Sequence, residues 1–90
     1  MKRYRLIVSG RVQGVGFRYH AAMLASKYNI TGYVKNLNDG DVELEAQGSL
    51  EALLPFIKDL QHGNRFIKIT SIKKEDKEII NKEKGFKILY

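Results

Sequence analysis

The chain predicts an α+β sandwich, an antiparallel sheet carrying both helices on one face, and three observations lead there. The spacing of apolar residues switches repeatedly between a period of two and a period near 3.6. Turn and cap residues fall at the switches. The order that results is βαββαβ with a short strand to close, which two split βαβ units pack as one sheet under two helices.

Residues 4–9 alternate and carry β-branched side chains, so they read as the first strand. Residues 10–16 hold three glycines in seven positions and read as a loop. From Phe17 the period changes: Phe17, Ala21, Leu24, Ala25 and Tyr28 share one helical face, and Asn29 is a stop. Residues 31–37 return to strand character, and Asn38-Asp39-Gly40 is hairpin-turn chemistry. Residues 42–47 alternate apolar and polar. Ser49 is an N-cap for a second helix, with Glu51 in its first turn and Leu50, Leu53, Leu54, Ile57 and Leu60 as its apolar stripe. Pro55 removes a helical donor, so either the first turn is irregular or the helix proper starts at Pro55. Gly63 ends it. Residues 65–73 are β-rich, residues 74–84 form a charged, solvated connection for which Ile79-Ile80 is the candidate anchor, and Phe86, Ile88 and Tyr90 alternate in a terminal strand.

This is the ferredoxin-like arrangement, with an expected sheet order of 4-1-3-2 and the fifth strand on an edge. Strands one and two then point the same way. The loop at residues 10–18 and the end of strand two at residues 35–38 become neighbours.

Ninety residues make one domain, expected over residues 1–90. There is no cysteine, which excludes disulfides, thiolate metal sites and cysteine nucleophiles. After Met1-Lys2-Arg3 the apolar stretch is only Leu6-Ile7-Val8, too short for a secretory signal, so a cytoplasmic protein is expected. The net charge is +6, and residues 1–38 hold seven basic side chains and no acidic one. Such asymmetry suggests an anionic partner, though chance gives the same in a small basic protein.

A glycine-rich loop entering a helix presents unpaired N–H groups to an anion. Here it ends in Arg18, whose planar guanidinium suits a phosphoryl group. By spacing alone, a tight turn with a surface arginine remains the other reading. Neither nucleotide fingerprint fits: G-x-G-x-x-G from Gly14 meets Tyr19, and a Walker loop from Gly10 meets Val15 and Gly16. What Gly10-Arg11-Val12-Gln13-Gly14-Val15-Gly16-Phe17-Arg18 resembles is the first signature of the acylphosphatase family. Gly32-Tyr33-Val34-Lys35-Asn36, followed by Asp39-Gly40, Val42 and Gly48, resembles its second. The resemblance spans essentially the whole chain and thins after Gly63, where His62-Gly63-Asn64 stands in place of a Gly-Pro-type turn.

The resemblance implies hydrolysis of a carboxyl-phosphate anhydride to a carboxylate and inorganic phosphate. It implies that Arg18 binds the phosphoryl group, that Asn36 positions the attacking water, and that the amides of Gln13, Gly14, Val15, Gly16, Phe17 and Arg18 form the cradle. No cofactor and no metal are implied. The expected partners are a small acyl phosphate and inorganic phosphate as product and competitive inhibitor, with no nucleic acid or membrane, acting on a monomer. Carboxylate leaving groups have conjugate acids of pKa about 4–5, so no strong general acid is needed. A loose phosphoryl-transfer transition state lets positioning and charge carry the catalysis, and the substrate phosphate itself is the expected acceptor of the water's proton.

By position alone Asn36 reads equally as a hairpin asparagine; the Gln13 side chain could serve the anion or close the turn, and a backbone role is the one expected. His20 faces away from Arg18 and is expected to be a solvated surface histidine; His62 simply sits at a favourable helix end. Tyr4, Phe17, Tyr19, Tyr28 and Phe86 are expected in the core. The terminal carboxylate of Tyr90 is expected near Arg18. Two other functions share this topology, an RNA-recognition module and a non-catalytic phosphate-binding domain. The first is weakened because residues 42–47 carry no aromatic for base stacking.

Overall fold

A computed structural model of the chain describes all of residues 1–90. The elements are β1 (Lys2–Arg11), α1 (Phe17–Tyr28), β2 (Thr31–Asn36), β3 (Val42–Gly48), α2 (Leu50–His62), β4 (Lys68–Lys77) and β5 (Phe86–Ile88). The sheet order is β4-β1-β3-β2-β5, which matches the order expected from the sequence. All pairings are antiparallel except that of β5 with β2, which is parallel and sets Gly32, Tyr33 and Val34 opposite Phe86, Lys87 and Ile88.

Strand alternation divides the sheet into two faces. Tyr4, Leu6, Val8, Val34, Val42, Leu44 and Ala46 join Phe17, Ala21, Leu24 and Ala25 of α1 and Leu53, Phe56 and Leu60 of α2 in one buried cluster. Register makes this consistent, because Leu6 pairs with Leu44 and Val8 with Val42. The opposite face is polar yet closed. Arg3 is buried there, its Nε donating to Glu45 at 2.7 Å and its Nη1 to Glu83 at 2.8 Å. Arg5 donates to Glu43 at 2.7 Å, and the Tyr33 hydroxyl donates to Glu43 and Glu45. Burial pushes the Tyr33 phenol well above its usual pKa, and its bonds to the two carboxylates add to that.

Local chemistry sets the helix ends. Asn29 closes α1 in the left-handed region at φ 55, a conformation asparagine tolerates. The Ser49 hydroxyl caps α2 by accepting from the Ala52 N–H at 3.2 Å.

Three expectations need correction. α2 is continuous from Leu50 and runs through Pro55: the ring's fixed φ suits a helix, and burial of Leu53, Phe56 and Leu60 offsets the one lost donor. Its buried stripe includes Phe56, whereas Leu50 and Leu54 are exposed. The fourth strand is shifted, spanning Lys68–Lys77 where residues 65–73 were expected, because edge pairing with β1 continues to Lys77 opposite Arg3. Residues 78–84 remain a largely exposed connection, anchored as expected at Ile80, whose N–H and carbonyl both bond the Gln47 amide, and further held by Glu83 on Arg3. No helix is long and apolar enough to cross a membrane.

Candidate active site

The parallel alignment of β1 and β2 brings the loop after Arg11 to the same end of the sheet as Asn36. Buried Val12 and Phe17 pin the loop at its two ends, and half-buried Val15 packs against the core beneath it. Gly14 and Gly16 hold φ of 73° and 80°, left-handed values that a side chain rarely adopts. Gly16 is the N-cap of α1 and supplies no side-chain cap, so the first-turn donors stay open. None of the main-chain N–H groups of residues 13–18 donates to any acceptor in the protein. They form a run of free donors with the positive end of a helix behind them.

Gln13 has another task. Its side-chain amide donates to the carbonyls of Leu37 and Asp41, at 2.8 Å each, which ties the loop to the β2–β3 turn. That leaves only its main chain facing the free-donor run.

A cleft of about 170 Å³ opens where these elements meet. Val12, Gly14, Gly16, Phe17, Arg18 and Tyr19 line one side, and Asn36, Ile88 and Tyr90 the other. Arg18 and Asn36 therefore meet in one cleft; Gln13 and Val15 support the loop without lining it. The Asn36 Oδ1 is buried and finds no hydrogen-bond partner in the protein. An unpaired buried acceptor costs about 1–3 kcal/mol.

Arg18 is held by the end of the chain. Its Nη1 donates to the Leu89 carbonyl at 3.1 Å, and its guanidinium lies over the Tyr90 ring at 4.8 Å from the centroid. The expected contact with the Tyr90 carboxylate is replaced by this carbonyl and ring, because Leu89 pairs onto β2 through the Val34 carbonyl and fixes which groups reach Arg18.

The charge asymmetry of the sequence largely cancels in the fold. Lys2 pairs with Asp76, Arg3 with Glu45 and Glu83, Arg5 with Glu43, Lys27 with Asp59 and Lys35 with Glu43. Of the basic residues before Asp39, only Arg11 and Arg18 have no carboxylate partner. One of those two lines the cleft. Arg18 is thus the one basic side chain that lines the cleft, and it lies beside the free amides of the loop.

Two expectations fail near the site. Tyr19 lies outside the core, 74% exposed at the cleft's edge, since its helical position is displaced from the Phe17–Ala21 face. His20 is not a solvated surface residue: it is half-buried, with Nε2 buried and unpartnered. Desolvation lowers its pKa from the usual 6.5, against the opposing pull of Asp59 on α2. The unfolded chain therefore takes up this proton at higher pH than the folded one. The stabilisation is complete above about pH 6.5 and is lost as pH falls from there through the lower folded pKa. The urea midpoint should fall between about pH 7.5 and pH 5.5 in the wild type and fall less in His20→Gln; equal falls would reject this account of His20.

No group of three or more His, Asp or Glu side chains is placed to hold a metal ion. Residues 4–88 match the family model described as Acylphosphatase. The chain is 49% identical over 90 residues to an acylphosphatase of Clostridium acetobutylicum, covering 100% of this chain and 99% of that one. It is 47% identical to one of Bacillus licheniformis, covering both chains completely. Among solved structures, the acylphosphatase of Bacillus subtilis superimposes with a TM-score of 0.94 at 43% identity, again over the whole of both chains.

Proposed function

This chain belongs to the acylphosphatase family and hydrolyses acyl phosphates to a carboxylate and inorganic phosphate, and from that premise we propose which residues perform the reaction. The observation that carries the reading is the meeting, in one cleft, of a carboxylate-free guanidinium and an orphaned buried amide oxygen. In this reading the amides of residues 13–18 and Arg18 hold the phosphoryl oxygens. Asn36 Oδ1 accepts a hydrogen bond from the attacking water and sets its approach.

Attack forms one P–O bond to the water oxygen as the P–O bond to the acyl oxygen breaks. The bonding pair leaves with the carboxylate, a weak base that needs no proton. The water's proton passes to a phosphoryl oxygen, so the products are the carboxylate and dihydrogen phosphate. Charge gathers on the phosphoryl oxygens, where prearranged donors stabilise it most. Neither a metal nor a cofactor has a part in the scheme. Residues 1–90 act as one domain, a cytoplasmic monomer, with inorganic phosphate as a competitive inhibitor. The closed, polar face of the sheet supports the absence of a nucleic-acid partner, because on β3 Glu43 and Glu45 lie where an RNA-binding sheet presents stacking aromatics.

The test is hydrolysis of benzoyl phosphate with EDTA present, comparing wild type with Asn36→Ala. A misplaced nucleophile costs about 10²-fold, so kcat should fall by about that factor while the inhibition constant for inorganic phosphate changes little. An Asn36→Ala enzyme with wild-type kcat would remove the water-positioning role.

A further inference from the structure

The cleft is too small to enclose a substrate with a bulky acyl group. At about 170 Å³ it falls below the roughly 300–1,000 Å³ of pockets that bury most of a drug-sized ligand. Its floor is polar, made by the loop glycines, Arg18 and Asn36, and is filled by the phosphoryl end. An acyl group larger than a few atoms must project to the mouth. What it meets there is Tyr19 and Tyr90.

Both tyrosines are unusually exposed for large aromatics, at 74% and 99%. Neither is explained by packing: Tyr90 gives one face to the Arg18 guanidinium, and the Tyr19 hydroxyl forms no hydrogen bond and its ring no cation contact. Scattered exposed aromatics carry no message, but two lining the same small cleft form a local apolar edge. Resting on the reading of the cleft given above, we infer that Tyr19 and Tyr90 form the acyl-binding subsite, and that they favour acyl phosphates with aromatic or extended apolar acyl groups over short ones. The rings offer stacking surface at little entropic cost, and Arg18 links the two halves of the site by touching the phosphoryl group on one side and the Tyr90 ring on the other.

A contact made equally in the ground state and the transition state acts on KM alone, so loss of a passive acyl subsite raises KM and leaves kcat nearly untouched. One aromatic stacking contact is worth about 3–10-fold. The experiment measures kcat and KM for benzoyl phosphate and acetyl phosphate with wild type, Tyr19→Ala, Tyr19→Phe and Arg18→Gln. In Tyr19→Ala the ratio of kcat/KM for benzoyl over acetyl phosphate should fall about 3–10-fold, through KM, and Tyr19→Phe should restore it because the ring remains. A ratio equal to wild type in Tyr19→Ala overturns the subsite, as does a loss that appears in kcat for both substrates alike. Arg18→Gln separates this from the parent reading. Collapse of turnover on both substrates upholds the phosphoryl site whatever Tyr19 does, whereas wild-type turnover in Arg18→Gln removes the phosphoryl site and the subsite built on it.

Discussion

Replacing Arg18 with alanine should lower kcat/KM for an acyl phosphate by about 10²–10³-fold or more, the toll of losing one prearranged donor to developing charge. The larger end is expected because this donor is itself charged and forked, and no neighbouring basic residue lines the cleft to substitute for it. The protein should remain folded. Arg18 contributes one bond to the Leu89 carbonyl and a stack on an exposed ring, and surface contacts of that kind are worth about 0.5 kcal/mol or less. The inhibition constant for inorganic phosphate should weaken in parallel. Arg18→Lys should recover only part of the activity, since a point charge cannot present two parallel N–H groups to one phosphoryl group. A folded Arg18→Ala protein retaining more than about a tenth of wild-type kcat/KM would contradict the assignment.

The second large effect concerns stability. Arg3→Met should destabilise the fold by about 3–5 kcal/mol, the usual cost of removing one member of a buried ionic cluster. Arg3 is 1% exposed and holds Glu45 and Glu83, themselves 15% and 17% exposed, and it also donates to Gln47 at 3.1 Å. Without it two carboxylates and an amide oxygen share a poorly hydrated space. Burial alone would raise the Glu83 carboxyl pKa, but the hydrogen bonds and charge of Arg3 outweigh it and hold the group below its usual 4.5. Glu83 therefore stabilises the fold above about pH 4.5, and that contribution disappears as pH falls through its lower folded pKa. Urea unfolding at neutral pH measures the difference. A loss under about 1 kcal/mol would mean that the cluster behaves like an exposed pair. Changing Arg3, Glu45 and Glu83 together to apolar residues of similar size should regain much of the loss, because no stranded charge remains.

The two predictions mark the difference between what local sequence encodes and what assembly adds. Periodicity and caps give the type and order of every helix and strand, though not the bounds of β4, because an N-cap serine, a left-handed asparagine or a strand's alternation acts within a few residues. The order of those elements leaves few topologies, so the meeting of Arg18 with Asn36 is already legible before any coordinates. Misreadings occur where two faces of one element compete. On α2, Leu54 and Phe56 are equally apolar, and only the position of the helix over the sheet buries Phe56 and exposes Leu54. On α1, Tyr19 and His20 exchange their expected environments for the same reason.

The ionic cluster lies furthest from sequence reasoning. Arg3 and Glu83 stand 80 residues apart, and their pairing exists only because β1 and β3 are neighbours while the chain between β4 and β5 folds back across them. By itself the sequence determined the strand and helix order, the glycine-rich loop and the residues that face its end of the sheet. Tertiary structure decided which charges cancel, which of the two unpaired arginines lines the cleft, and which tyrosines border it. Local signals act over one turn of helix or one pleat of strand; the partner of a charge or the cover of an aromatic ring is set by packing between segments far apart in the chain.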